Sequence, residues 1–104
     1  AVRLILSERV AVDEIASING INLGQNTPNP ASNTTIFSFD ISQSRSIAFE
    51  VRDLSGRVVT RIEEGTLGAG NHTISYDVST LSSGLYTYTL IADGVSITKK
   101  MVIR

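Results

Sequence analysis

The chain has 104 residues, a net charge of −1 and no cysteine, so it has room for one disulfide-free domain and none for thiolate chemistry. No apolar run approaches the ~18 residues of a membrane span, and no basic run or basic-aromatic platform exists to hold nucleic acid. Ala1-Val2-Arg3 lacks the marks of a cleavable export signal, and the absence of a start Met leaves a piece of a longer chain, or a trimmed one, as the expectation.

Val2, Leu4 and Leu6 alternate with polar neighbours, so Ala1–Ser7 reads as a strand, the last of a preceding domain. Glu8–Asn19 keeps neither a period of 2 nor one of 3.6. A linker is favoured there over a short helix. The expected organisation is therefore residues 1–20 as the end of a preceding domain with its linker, and residues 21–104 as the domain.

Ile21–Gln25 is expected as a short first strand. It stops at Asn26-Thr27-Pro28-Asn29-Pro30, because two prolines lack the N–H a ladder needs. Thr35, Phe37, Phe39 and Ile41 then alternate with Ile36, Ser38 and Asp40, the period of a half-buried strand. After a Ser-rich turn at 42–46, Ile47, Phe49 and Val51 face one way, and Ala48, Glu50 and Arg52 the other. Asp53-Leu54-Ser55-Gly56 is a turn. Arg57–Ile62 follows as a strand whose alternation breaks at Val58-Val59, which a bulge or an edge position explains.

Glu63–Gly70, with three glycines, reads as a loop. Asn71–Asp77 is the fifth strand, with His72, Ile74 and Tyr76 on one face. Leu85–Ala92 is the sixth, with Tyr86, Tyr88, Leu90 and Ala92 on one face. Asp93-Gly94 is a two-residue hairpin signal leading into Val95–Ile103. Seven strands with regular turn signals predict an all-β fold, an immunoglobulin-like seven-stranded antiparallel β-sandwich. Its core is expected to hold Phe37, Phe39, Ile47, Phe49, Val51, Ile74, Tyr86, Tyr88 and Leu90. Leu81-Ser82-Ser83-Gly84-Leu85-Tyr86 is similar to a tyrosine corner, and Tyr88 falls where an antibody domain has its second Cys.

Little in the chain points to chemistry. His72 is the single histidine, and one His without Cys makes no structural zinc site. No Gly-x-Ser-x-Gly elbow accompanies it, so a strand residue is the simpler reading. Asp40, Asp53, Asp77 and Asp93 stand where turns or strand ends are expected. A turn-forming role outweighs calcium binding, because no Asp-x-Asp-x-Asp-Gly loop is present. Asn33-Thr34-Thr35 and Asn71-His72-Thr73 match a glycosylation triplet that is common by chance. Lys99-Lys100 admits two readings, an edge guarded against aggregation or a surface read by a partner. No catalytic residue, cofactor or metal is expected.

Residues 23–104 resemble the C-terminal sorting domain of the bacterial type IX secretion system of the Bacteroidetes. The matching pieces run in order: Gln25-Asn26-Thr27-Pro28-Asn29-Pro30, Thr34-Thr35, Val51-Arg52-Asp53-Leu54-Ser55-Gly56-Arg57-Val58-Val59, Gly70-Asn71-His72, Leu81-Ser82-Ser83-Gly84-Leu85-Tyr86-Thr87-Tyr88 and Lys100-Met101-Val102-Ile103-Arg104. Arg52 departs from the family, which usually has Tyr there.

The resemblance implies a secretion signal that directs a cargo through the outer-membrane type IX translocon, and that a surface sortase commonly removes within the linker. Partners would be the translocon, the sortase and an N-terminal cargo domain, with no nucleic acid and no small-molecule substrate. The protein would pass the periplasm and reach the outer membrane, cell surface or medium. Family-motif residues are Asn29, Pro30, Asp53, Gly56, Arg57, Gly70, Gly84 and Tyr86. The candidate recognition residues are Lys99, Lys100, Met101, Val102, Ile103 and Arg104. The alternative is an uncleaved immunoglobulin-like or fibronectin-like module that docks or spaces an extracellular protein. An enzyme ranks third.

Overall fold

Period-2 alternation is realised as alternating burial, though along Arg45–Arg52 Ala48 on the outer face is buried as well. In the computed structural model, which describes residues 20–104, Thr34–Ile41 alternates exposed and buried along its whole length. The elements are β1 (Ile21–Leu23), β2 (Thr34–Ile41), β3 (Arg45–Arg52), β4 (Val58–Leu67), β5 (Gly70–Asp77), β6 (Gly84–Ala92) and β7 (Val95–Ile103). They form two antiparallel sheets, β1-β2-β5 and β4-β3-β6-β7. The expected all-β sandwich of seven strands is therefore present. The fourth strand pairs with β3 and not with β5.

The sheets meet through aromatic side chains. Phe37 of β2 stacks on Phe49 of β3 at 5.2 Å between centroids and on Tyr88 of β6 at 4.6 Å. Phe39 tilts against Phe49 at 5.5 Å. Pairs of this kind add about 0.5–1.5 kcal/mol each beyond the area they bury. Every residue expected in the core is buried, and Ile21, Ala31, Val78, Ile97, Met101 and Ile103 join them.

Strand limits differ most from expectation in two places, beside a start of β3 at Arg45 inside the expected turn 42–46. β1 ends at Leu23, because the chain leaves its ladder at Gly24, whose N–H still reaches Ser38 O at 2.8 Å. The stretch expected as a loop over Glu63–Gly70 is mostly strand, since β4 continues to Leu67 and only Gly68-Ala69 separates it from β5. The β3–β4 register shifts between Ile47 and Ala48, and again between Val51 and Arg52. These irregularities, together with β4's place at a sheet edge, explain why its apolar residues do not alternate. The hairpin at Asp93-Gly94 has φ of 48° and 87°, the positive pair that a type I′ turn needs.

Candidate recognition site

The turn between β3 and β4 is organised by one carboxylate. Asp53 Oδ1 accepts from Ser55 N–H (3.0 Å), Ser55 Oγ (2.6 Å) and Arg57 N–H (3.1 Å), while Oδ2 pairs with the Arg57 guanidinium (3.2 Å). The Ser55 hydroxyl, then the backbone N–H groups and Arg57, hold the Asp53 carboxyl below its ordinary range despite some desolvation. Gly56 closes the turn at φ 89°, a conformation other residues adopt only with strain. Arg52, the departure from the family pattern, points to the outer face. Its guanidinium donates to Gly56 O and Glu50 Oε1, both at 2.8 Å. Glu50 also accepts from Arg61, so its carboxyl is lowered, chiefly by Arg52.

A second constellation joins the two sheets. Tyr88, fully buried on β6, donates its hydroxyl to Gly24 O (2.8 Å) and accepts from Asn26 N–H (2.9 Å). It thus ties β6 of one sheet to the segment that leaves β1 of the other. The buried Asn26 side chain donates to Pro28 O (3.1 Å) and Thr35 Oγ1 (3.0 Å), and its carbonyl accepts from Gln25 Nε2 (2.7 Å). These bonds fix the strap 25–31, in which the Thr27-Pro28 and Asn29-Pro30 peptide bonds are both cis.

The strap lies along β7. Gln25 Nε2 donates to Lys100 O (2.8 Å), Val102 N–H donates to Asn29 Oδ1 (3.0 Å), and Ala31 forms a parallel bridge with Ile103. At the start of β6, Tyr86 donates its hydroxyl to Ser82 O at 2.8 Å, which is the tyrosine corner the sequence suggests.

Strand direction sorts the motif residues. β3 ends, β6 begins and β7 ends on the same side, with Arg52 beside Thr87, Thr87 beside Lys100, and Gly84 beside Ile103. Asn29, Pro30, Asp53, Gly56, Arg57, Gly84, Tyr86 and the terminal residues therefore share one end of the sandwich. Gly70 pairs with Ile41 at the other end. The terminal residues divide between faces. Met101 and Ile103 are buried, Lys99 shares their side of the strand and is half-buried, and Lys100 and Val102 face outward.

Sequence reasoning missed the bonds of Gln25 to Lys100 and of Tyr88 to Gly24, each across more than 60 residues of chain. The outlying acids and the histidine have plain structural places. Asp77 caps the turn after β5 through Ser79 N–H (2.9 Å), and Asp93 Oδ2 accepts from Ser46 N–H (3.2 Å). Asp40 is the penultimate residue of β2, at a strand end as expected. His72 stacks on Phe39 at 5.4 Å, and its Nε2 is 2.7 Å from Gly68 O. Among the described residues no group of three His, Cys, Asp or Glu side chains could hold a metal.

The arrangement offers surfaces to be recognised: a disulfide-free β-sandwich with its motifs gathered at one end. The chain belongs to the secretion system C-terminal sorting domain family, which matches residues 27–104. It is a C-terminal secretion signal for cargo of the type IX system, works with that system's machinery, and serves export to the cell surface. A comparison with curated proteins finds no match.

Proposed function

We propose that this domain carries an N-terminally attached cargo to the outer-membrane type IX translocon. On this reading a surface sortase then cuts the segment before β1. The cargo crosses the periplasm in transit and ends at the outer membrane, the cell surface or the medium. The cut falls in Glu8–Asn19, which lies outside the described residues, as does the cargo strand Ala1–Ser7. Recognition rests on Lys99–Arg104, presented with the Asn29-Pro30, Asp53-Gly56-Arg57 and Gly84-Tyr86 motifs. The sandwich is of the immunoglobulin-like kind, with the fourth strand moved to the β3 edge. The tyrosine corner at Tyr86 supports that kinship.

The observation that carries the reading is the strap. Asn29 and Ala31 bind Val102 and Arg104, so motif pieces from the two ends of the domain meet at one place. A module that only spaces other domains has no need to assemble them.

The test fuses a folded reporter with an export signal to residues 1–104, in a host with the type IX system. Wild type is compared with Lys99→Gln, Lys100→Gln and Arg104→Gln combined. Surface reporter from the wild type, and periplasmic retention of a variant that still melts normally, are expected. The released reporter should end within residues 8–19. Equal export of both would remove the charges from the address, and retention of the wild type would overturn the sorting role.

A further inference from the structure

A terminal strand can be read through its edge, by pairing with another strand, or through its face. The edge of β7 is closed by the domain itself over its last residues. Val102 N–H donates to Asn29 Oδ1 (3.0 Å), and Val102 O accepts from Ala31 N–H (2.8 Å). Lys100 O accepts from Gln25 Nε2 (2.8 Å), and Arg104 N–H donates to Ala31 O (2.8 Å). Backbone groups alternate sides along an antiparallel strand, so residues 100, 102 and 104 are those that turn away from β6. A docking strand would need these groups, and the strap already holds them. By the same alternation the open part of this edge is at Ser96 and Thr98, away from the terminal motif.

The face at that end is differently equipped. Among the described residues four large apolar side chains are exposed, and three of them fall here: Leu54 (76%), Val58 (41%) and Val102 (40%). Register places them on one end of a single sheet face, with Val58 on the β4 edge and Val102 on the β7 edge. Val58 is beside Arg52, Arg52 beside Thr87, Thr87 beside Lys100, and Val102 beside the half-buried Leu85, with Leu54 in the adjoining turn. Single exposed apolar residues are ordinary, but three of the four at one end of one sheet face, interleaved with Arg52 and Lys100, mark a contact surface. Charge gives the partner's chemistry. Arg52 and Arg61 are balanced by Glu50 and Glu63, whereas Lys100 and Arg104 have no carboxylate within ion-pair distance among the described residues.

We infer that the secretion machinery reads this end of the outer face of the β4-β3-β6-β7 sheet, and that its complementary surface is apolar with acidic groups at the margin. The inference rests on the sorting role and names the surface that serves it.

Two variants of the reporter fusion separate face from edge. Leu54→Ser, Val58→Thr and Val102→Thr together remove the apolar contact while keeping strand-forming residues in the strands. Thr98→Pro removes an outward N–H and blocks pairing at the open edge, a position where a strand tolerates proline. Both are checked by melting and far-ultraviolet circular dichroism. The face variant should lose surface export and collect in the periplasm while folded, and Thr98→Pro should be exported. Ile36→Thr, at the fourth exposed apolar residue and on the other sheet, should be exported too. If the triple variant does not fold, Leu54→Ser alone, in an exposed turn, should show a partial loss. A folded face variant exported as well as wild type overturns the inference. So does retention of folded Thr98→Pro with export of the face variant. Failure of the wild type itself would instead bring down the sorting role.

Discussion

Replacing Tyr88 with Phe deletes one oxygen from the junction between the sheets and leaves the ring stack on Phe37 in place. Two bonds go with it. Gly24 is exposed, so its carbonyl can turn to water, but the N–H of Asn26 sits in a residue only 2% exposed and is left without a partner. An orphaned buried donor costs about 1–3 kcal/mol, and the isosteric ring leaves no large cavity, so the loss should be about 2 kcal/mol. In a domain of this size that lowers the melting temperature by roughly 8–16 °C.

The pH dependence gives a second readout. Burial, partly offset by the Asn26 N–H bond, pushes the Tyr88 hydroxyl up to about 12 from 10.0. A raised folded value means that the contribution is whole below pH 10 and is lost progressively as pH climbs toward 12. Thermal melts of both proteins at pH 7 and through pH 10–11.5 should therefore show a large gap that narrows with alkali. A shift under about 2 °C at pH 7, or a gap that stays constant, would refute the idea that this hydroxyl joins the sheets.

Phe49→Ala, at the centre of the stack between Phe37 and Phe39, should cost about 3–5 kcal/mol in denaturant unfolding. Asn29→Ala should leave Val102 N–H to water, with a loss of about 1 kcal/mol and faster hydrogen exchange at the Val102 amide. Asp53 titrates below its ordinary range, so its contribution is present at neutral pH and is lost as acid protonates it. Asp53→Asn should lower stability at pH 7 and flatten the acid limb of the stability curve, read by melts between pH 2 and pH 7.

Alternation made the centre of the fold legible. β2, β6 and the inward side of β7 show a period of 2 in burial, and β3 shows it in residue type although Ala48 on its outer face is buried as well. The turn residues of Asp53–Arg57 and Asp93-Gly94 were equally readable, since their conformations are set locally. β4 was cut short because its second half, Glu63-Glu64-Gly65-Thr66, is an exposed edge with a register shift, where no burial imposes a period. The strap was legible only as an interruption. Prolines announce where a ladder stops, but the pairing of Gln25 with Lys100 and of Asn29 with Val102 spans more than 70 residues and leaves no periodic trace. Tyr88 was readable as core and not as a joint. Lys99 and Lys100 are adjacent in sequence, but neighbouring strand residues point to opposite faces, so only Lys100 lies on the outer one.

The most direct measurement is surface exposure of a reporter carrying residues 1–104, by protease accessibility on intact cells, in a host with the type IX system and in the same host with its translocon deleted. The account predicts reporter at the surface in the first strain and protected within the periplasm in the second. Equal exposure in both strains, or protection in both, would contradict it.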